Sequence, residues 1–207
     1  MLNVGLTGGI ACGKTTVAQM FGRLGGVLID FDKLAHEVQK PNMPAWRDIV
    51  ACFGKEVLRP DGTIDRVRLG AVVFNDPEKL QKLNSIVHPR VFEQWHLQLE
   101  SIRAQNPRVI VFADVPLLFE CAMQNLFDLT ILVVIEPDEQ IERLMTRSSL
   151  TNREAQIRLA SQMPIHDKIP LADIVIDNRN TVEETQKQVK EVWQNLLEKG
   201  KNMKTGR

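Results

Sequence analysis

The stretch Gly8-Gly9-Ile10-Ala11-Cys12-Gly13-Lys14-Thr15 decides the fold of this chain. It satisfies the pattern G-x-x-x-x-G-K-S/T in full. Residues 2–7 before it form a short apolar run, and residues 14–24 place apolar side chains at helical spacing. Strand, glycine loop and helix therefore succeed one another. In such a loop successive N–H groups point inward at a phosphate, and the helix N-terminus adds partial positive charge.

Two side chains of this loop have predictable roles. We expect Lys14 to reach the β and γ phosphates of a nucleoside triphosphate, and the Thr15 hydroxyl to ligate Mg²⁺. A GTPase is disfavoured, because the late segment Asp177-Asn178-Arg179-Asn180 lacks the base-selecting Asn-Lys-x-Asp. An ATPase is also disfavoured: Asp114 ends a hydrophobic run, but the next residue, Val115, is not acidic. Asp114 either holds Mg²⁺ through water or caps a loop.

Four further β-rich runs extend the pattern that begins with residues 2–7. They are residues 27–30, 109–115, 129–135 and 173–176, and each is nearly continuous rather than alternating. Continuous apolar runs are typical of strands covered on both faces. The sequence therefore predicts an α/β fold with a parallel five-stranded sheet flanked by helices.

A long helical stretch separates the second run from the third. Asp65 and Asp76 are placed to cap helices, and Pro89 and Pro107 are expected to interrupt the helical pattern after them. The stretch exceeds an ordinary crossover, so we predict a helical lobe at residues 32–104 that carries specificity.

A second, smaller insertion spans residues 143–168. Thr151 and Glu154 fit a capping box, and the window from 143 to 158 holds four arginines against one acidic residue: Arg143, Arg147, Arg153 and Arg158 against Glu154. A basic helical insert predicts a lid that contacts the migrating phosphoryl group and excludes water; a solvated helical surface is the alternative. We prefer Arg147 as the catalytic contact, because it lies where we expect the helix after the fourth strand to end and the lid to begin.

The remaining residues complete the division of the chain. The core takes residues 1–31, 105–142 and 169–200, and the last helix, opened by Thr181, turns apolar residues inward at helical spacing. Residues 201–207 are polar and basic, and we expect a flexible tail there.

Two carboxylates close the second strand, in Asp30-Phe31-Asp32. Ligands bind at the carboxyl edge of a parallel sheet. We expect Asp32 to accept the proton of an attacking hydroxyl and Asp30 to orient water around Mg²⁺. The alternative is that Asp32, or Asp30, only caps the following helix.

Composition excludes several classes of protein. Lys and Arg number 26 and Asp and Glu number 26, so the formal net charge is zero, and binding to nucleic acid or an anionic membrane is not favoured. Apolar runs are too short to span a membrane, and the first residues lack the basic start of a signal peptide. The 3 cysteines are too few for a disulfide framework or a four-ligand zinc site. We expect a cytoplasmic protein that is a monomer or a weak homo-oligomer.

Six groups of residues recur in the order found in one kinase family. They are residues 6–16; Ile29-Asp30-Phe31-Asp32 with Ala35; Gly62-Thr63-Ile64-Asp65-Arg66 with Leu69 and Phe74; His88-Pro89; Val115-Pro116-Leu117-Leu118-Phe119-Glu120; and Ala172-Asp173 with Val175-Ile176-Asp177-Asn178. Together they closely resemble the dephospho-CoA kinases, which catalyse the last step of coenzyme A biosynthesis. The resemblance covers about residues 2–198.

The resemblance implies a P-loop fold like that of nucleoside monophosphate kinases, with core, lid and substrate-binding parts. It implies a phosphotransferase with an alcohol acceptor: the γ-phosphate of ATP passes to the ribose 3′-hydroxyl of dephospho-CoA, with Mg²⁺, giving coenzyme A and ADP. The residues alone leave open another nucleoside or nucleotide kinase and a nucleotide-switched binding module.

Site residues carried over by the resemblance fall into four groups. They are the ATP loop, Ala11, Cys12, Gly13, Lys14, Thr15 and Thr16; Asp32 as the base; Arg66, His88, Pro116, Leu117, Leu118 and Glu120 facing the acceptor; and Arg147 and Gln162 in the lid. His88 has an alternative role as a helix-boundary residue fixed by Pro89. Residues 116–118 are alternatively a packed turn that shapes the pocket.

Two positions depart from the family pattern. Ser148 follows Arg147 where an acidic residue is frequent, which leaves the partner of Arg147 open, and Cys12 stands where serine is common. A thiol near a helix N-terminus and beside Lys14 predicts some thiolate character. We therefore expect alkylation of Cys12 to inactivate the enzyme and ATP to protect it; an inert packed cysteine is the alternative.

Overall fold

The five apolar runs form a single sheet in the structure, a computed structural model that describes residues 1–202. The strands are β1 (Leu2–Gly8), β2 (Val27–Asp30), β3 (Ile110–Asp114), β4 (Leu129–Val134) and β5 (Ile174–Asp177). Their order is β2-β3-β1-β4-β5, and all neighbouring strands run parallel. The predicted parallel five-stranded sheet is confirmed. The strand that carries the phosphate loop, β1, is the central one.

Helices follow or connect these strands. They are α1 (Lys14–Arg23), α2 (Phe31–Val38), α3 (Pro44–Phe53), α4 (Arg66–Val73), α5 (Pro77–Gln105), α6 (Pro137–Ser148), α7 (Asn152–Ala160), α8 (Ile165–Lys168) and α9 (Val182–Asn202). Short 3₁₀ segments lie at Lys55–Val57, Gln124–Leu126 and Ile169–Leu171. Within residues 1–202, no helix is both long enough and apolar enough to cross a bilayer.

The described chain divides into two compact units. One comprises residues 1–30 and 105–202 and contains the sheet; the other, Phe31–Ala104, contains α2, α3, α4 and nearly all of α5. The sequence places its specificity lobe at residues 32–104. That this unit binds the acceptor stays a prediction.

The core of the first unit lies on the sheet and beneath α1 and α9. The ring of Phe112 on β3 stacks on Phe21 of α1, with centroids 4.3 Å apart, and lies 6.2 Å from the ring of Trp193 on α9. Helix α9 also buries Val189 and Leu196. It continues to Asn202, two residues into the segment predicted as a tail, and residues 203–207 lie outside the described part of the chain.

Three predicted helix starts are confirmed by their hydrogen bonds. The Asp65 carboxylate accepts from the N–H groups of Val67 and Arg68 at the start of α4. The Asp76 carboxylate caps α5 in the same way, and Thr151 and Glu154 form a complete capping box at α7. Each residue satisfies backbone donors that the first helical turn leaves without partners.

Pro89 does not end a helix, which corrects the sequence prediction. It lies inside α5, which is 29 residues long. The residues around it form a buried stripe at a spacing of four, Val87, Val91, Trp95 and Leu99. Burial of this stripe keeps the two halves in one helix although the proline removes a hydrogen bond. His88 is therefore an interior helical residue and not a boundary.

Candidate active site

The phosphate loop connects β1 to α1 at the carboxyl edge of the sheet. Two of its residues have left-handed backbone torsions: Ala11 with φ of 60° and Gly13 with φ of 86°. Gly13 precedes the first residue of α1, and a side chain there would collide with the Asn178 amide. Thr15 and Thr16 follow in the first turn of α1 with exposed side chains. Left-handed torsions at alternate residues are typical of loops whose backbone N–H groups bind an anion.

The loop lysine has an acidic partner on the neighbouring strand. Lys14 forms an ion pair with Asp114, the last residue of β3, and both side chains are mostly buried. Asp114 is in register with Asp30, the last residue of β2. The carboxyl edge therefore brings Lys14, Asp114 and Asp30 to the same end of three adjacent strands, as the sequence predicts.

The oxygen donors at this edge suit Mg²⁺. Among residues 1–202, no cluster of three or more His, Cys, Asp or Glu side chains could hold a metal by protein ligands alone. Mg²⁺ prefers hard oxygen ligands and usually keeps several waters, with one or two carboxylates and substrate phosphates as further ligands. Asp30 and Asp114, paired in register, and the exposed Thr15 hydroxyl fit such a partial ligand set.

Cys12 is a buried thiol, which corrects the expectation of a reactive thiolate. Its side chain is 1% exposed. Burial raises the pKa of the thiol and outweighs the opposing effects of the backbone N–H of Lys14 and of the Lys14 and Lys168 charges. The helix N-terminus and Lys14 are present as the sequence predicts, but desolvation is the larger effect. The alternative of an inert packed cysteine fits the structure.

Asn178, just after β5, and Arg143, on α6, support the phosphate loop through hydrogen bonds. Asn178, just beyond β5, donates from Nδ2 to the Cys12 carbonyl at 2.8 Å and accepts from Thr185 Oγ1 at 2.8 Å. Arg143 Nη2 donates to the Asn178 carbonyl at 3.3 Å. Arg147 is one turn further along α6, in its last turn, and its side chain is exposed. Its catalytic role stays a prediction.

Two glutamines hold the outer part of the loop. Gln140 on α6 is 2% exposed, and its Nε2 donates to the Ile10 carbonyl at 2.7 Å. Gln162, between α7 and α8, accepts at Oε1 from the Ile10 N–H at 2.8 Å. The family resemblance places Gln162 in the lid without naming its partner, and Gln140 was not singled out from the sequence.

The turn after β3 is largely packed. Leu118 is fully buried, Leu117 is exposed, and the Pro116 carbonyl accepts from Thr7 Oγ1 at 3.3 Å. Glu120 forms an ion pair with the fully buried Lys168, at 2.6 Å between Oε1 and Nζ. These contacts fit the alternative of a pocket-shaping turn, and substrate contact by residues 116–120 stays a prediction.

In the second unit, Asp32 and Arg66 interact through their charges. Asp32 is exposed in the first turn of α2, and Arg66 at the start of α4 contacts Nε2 of His36. Burial lowers the pKa of Arg66, and the charge of Asp32 opposes that shift. His88 is half-buried, packs edge-on against Phe92, and has a pKa lowered by burial. The charge of Asp32 acts on Arg66, and His88 packs against Phe92 of the same helix, α5.

The parallel sheet, its strand order and the glycine loop at the end of the central strand define a P-loop kinase. The family described as dephospho-CoA kinase matches residues 2–184. The chain belongs to the dephospho-CoA kinase family.

Individual relatives agree with this assignment. A dephospho-CoA kinase of Syntrophus aciditrophicus is 54% identical over 199 residues, which cover 96% of this chain and 85% of that protein. A solved dephospho-CoA kinase from Campylobacter jejuni superposes with a TM-score of 0.70 at 30% identity, covering 95% of this chain and 97% of that one. A solved protein from Thermus thermophilus reaches a TM-score of 0.82 at 32% identity, covering 94% and 97%.

Proposed function

We propose that this chain transfers the γ-phosphate of ATP to the ribose 3′-hydroxyl of dephospho-CoA, giving coenzyme A and ADP in the last step of coenzyme A biosynthesis. The observation that carries the proposal is the intact phosphate loop within a family match over residues 2–184. The loop accounts for nucleotide binding, and the family accounts for the acceptor.

ATP binds through backbone and lysine donors of the loop. The Cys12 and Thr16 N–H groups bond to the Gly9 and Gly13 carbonyls, so other N–H groups of the loop bind the phosphates, and Lys14 adds a positive charge. Lys14 is paired with Asp114 in the structure. On binding it exchanges this carboxylate for phosphate oxygens, so its charge stays compensated in both states.

Mg²⁺ would be held by Thr15, Asp30 and Asp114 together with phosphate oxygens. When bound, the cation neutralises negative charge on the phosphates. Asp114 loses its lysine partner when Lys14 turns to the nucleotide, and its carboxylate then becomes available as a ligand.

Asp32 accepts the proton of the acceptor hydroxyl. The 3′-oxygen forms a bond to the γ-phosphorus as the bond from that phosphorus to the β–γ bridging oxygen breaks, and the hydroxyl proton passes to the Asp32 carboxylate. Arg66 lies close enough to Asp32 for their opposite charges to attract. We also assign Arg66, His88 and residues 116–120 to binding of the phosphate-rich acceptor.

The lid at residues 143–168 supplies positive charge and excludes water. Arg147 contacts the migrating phosphoryl group when the lid closes, where fixed positive charge stabilises the transition state. Arg143 already lies beside the loop through its bond to the Asn178 carbonyl. The two arginines are separated by one helical turn, so they share one face of α6.

An acceptor screen tests the proposed function. ADP release is measured with ATP and Mg²⁺ in the presence of dephospho-CoA, adenosine, uridine or AMP. We expect turnover with dephospho-CoA, and mass spectrometry should show a product heavier by one phosphate on the ribose. Turnover with a nucleoside or AMP alone would contradict the proposal and point to another kinase. Nucleotide-dependent capture of a partner without turnover would favour a binding module.

A further inference from the structure

The Ile10 residue of the phosphate loop is held on both of its peptide groups by glutamine side chains. Gln162 accepts from its N–H, and Gln140 donates to its carbonyl. The two amides act in opposite senses, because a backbone N–H can only donate and a carbonyl can only accept. Their orientations are thus fixed by their backbone partners.

The bond to the Ile10 carbonyl also fixes the following N–H group. The peptide from Ile10 to Ala11 is trans, so its carbonyl and its N–H point in opposite directions. With the carbonyl turned to Gln140, the Ala11 N–H points away from α6. Ala11 has a left-handed φ of 60°, which a residue with a Cβ adopts only when its surroundings impose it.

The peptide from Ile10 to Ala11 is the central peptide of a turn from Gly9 to Cys12, which the Cys12 N–H closes by donating to the Gly9 carbonyl at 3.2 Å. The two common turn types differ in the direction of this central peptide, and a left-handed torsion at the third residue is typical of one of them. The Gln140 bond to the Ile10 carbonyl favours the direction that the structure shows. A cavity of about 410 Å³ lies beside Gly9 and is lined by Gln140, Gln162 and residues of α7 and α8.

The support for Gln162 is itself anchored. The next residue, Met163, donates its N–H to Glu120 Oε1 at 3.2 Å, and the same oxygen is 2.6 Å from the buried Nζ of Lys168. A fully buried lysine is costly unless paired, so this ion pair fixes the loop that carries Gln162. Gln140 needs no such anchor, because it lies on α6 and is itself buried.

We propose that Gln140 is a positioning residue for ATP, holding the Ile10 carbonyl so that the Ala11 N–H faces the polyphosphate, with Gln162 holding the other side of the same residue. This inference rests on the proposed use of residues 11–16 to bind ATP. Neither glutamine touches the nucleotide. Each acts by preparing a loop whose donors would otherwise have to be ordered during binding.

The first test compares nucleotide affinities of Gln140→Met with those of Gln156→Met. Gln156 is exposed on α7 and lines the same cavity, so it is the matched control. We expect Gln140→Met to weaken ATP and ADP binding by about tenfold, as for loss of one well-placed hydrogen bond. AMP lacks the phosphates that the loop grips, and its affinity should stay within about twofold of the wild type.

The second test exchanges amides for carboxylates. A carboxylate at position 162 can still accept from the Ile10 N–H, whereas one at position 140 cannot donate to the Ile10 carbonyl. Both Gln162→Glu and Gln140→Glu add one negative charge beside the same residue. We expect Gln140→Glu to lose several times more ATP affinity than Gln162→Glu. Equal losses would mean that charge alone matters and would overturn the proposal.

Other results of the affinity measurements would also overturn the positioning role of Gln140. An ATP affinity of Gln140→Met equal to that of Gln156→Met would overturn the proposal, as would an equal loss of AMP affinity. If Gln140→Met does not fold, Gln140→Asn keeps the amide but shortens its reach, and the same comparison of ATP, ADP and AMP applies. Failure of the wild type in the acceptor screen would contradict the proposed function and leave these binding measurements intact.

Discussion

Lys14, at the start of α1, forms an ion pair with Asp114 at the end of β3. The loop that carries Lys14 follows β1, and β1 is paired with β3 in the sheet. Because both side chains are mostly buried, neither charge is fully solvated, and each contributes to compensating the other. The pair places the Asp114 carboxylate beside the lysine of the phosphate loop.

Asp114→Asn should weaken the response to Mg²⁺. The amide keeps the shape of the carboxylate but removes its charge, so both the lysine partner and the metal lose an anionic ligand. We expect the Mg²⁺ concentration for half-maximal turnover to rise by about tenfold. Steady-state rates over a Mg²⁺ series measure this, with the exposed Asp138→Asn on α6 as control. An unchanged Mg²⁺ dependence would mean that Asp114 only holds Lys14.

Asp32→Asn should remove the base and leave nucleotide binding intact. Loss of a general base lowers turnover by roughly 10² to 10⁴-fold. ATP affinity, measured by calorimetry, should change little because the loop is untouched. Glu100→Gln, an exposed change on α5 of the same unit, is the matched control. A near-normal rate for Asp32→Asn would leave Asp32 as a helix-capping residue.

Arg143→Gln and Arg147→Gln should affect different steps. Arg143 bonds to the Asn178 carbonyl, and Asn178 in turn bonds to the Cys12 carbonyl, so its loss should loosen the loop and raise KM for ATP. Arg147 is exposed in the last turn of α6, and its replacement should lower kcat by about 10² to 10³-fold if it contacts the transferred group. The two variants are compared by their kcat and KM values. A kcat for Arg147→Gln close to the wild type would assign Arg147 to the solvated surface of the lid.

Cys12 should react more slowly with iodoacetamide than the exposed Cys52. Burial raises the pKa of Cys12, so less thiolate is present at neutral pH, and its sulfur is shielded from solvent. Cys121 should be intermediate, because partial burial and the Glu120 charge raise its pKa as well. Peptide mapping over a time course at about neutral pH gives the order of labelling. Fast labelling of Cys12 with ATP protection would instead restore the reactive-thiolate hypothesis.

Lys168→Met should destabilise the protein, and a paired change should recover part of the loss. The single variant leaves Glu120 without its cation, at a cost of roughly 3 kcal/mol. Lys168→Met with Glu120→Gln removes both charges and should be more stable than the single variant. Urea unfolding measures both. For comparison, Glu136→Gln at the exposed Arg179 pair should cost less than about 1 kcal/mol. Equal stability of the single and paired variants would mean that the Glu120 carboxylate carries no penalty once Lys168 is replaced.

The sheet and the phosphate loop can be predicted from local sequence because their signals are local. The glycine loop needs particular residues at fixed spacing, and strands covered on both faces are continuous apolar runs. Asp65, Asp76 and Thr151 likewise bond to backbone groups only two or three residues away. Such contacts need no knowledge of the rest of the fold.

The predictions that were wrong, and the residues that were missed, depend on distant contacts. Pro89 is locally a helix breaker, but the buried stripe of α5 overrides it. Cys12 is locally an activated thiol, but the surrounding core desolvates it. Gln140 and Lys168 each look like polar helix-surface residues, and their partners Ile10 and Glu120 lie far away in sequence. No periodicity marks a buried polar side chain whose partner lies on another element.

The strand order has a consequence for how the site can fluctuate. β1 is paired on both sides, whereas β2 and β5 are edge strands with one neighbour each. Edge strands open locally at a lower free energy than central ones. The phosphate loop therefore follows the strand that opens at the highest free energy. Asp30 lies at the end of one edge strand, β2, and Asn178 follows the other, β5, so both lie where local opening costs less. The segment that holds the nucleotide is therefore locally more stable than the edge segments that carry Asp30 and Asn178, whose side chains can adjust more readily.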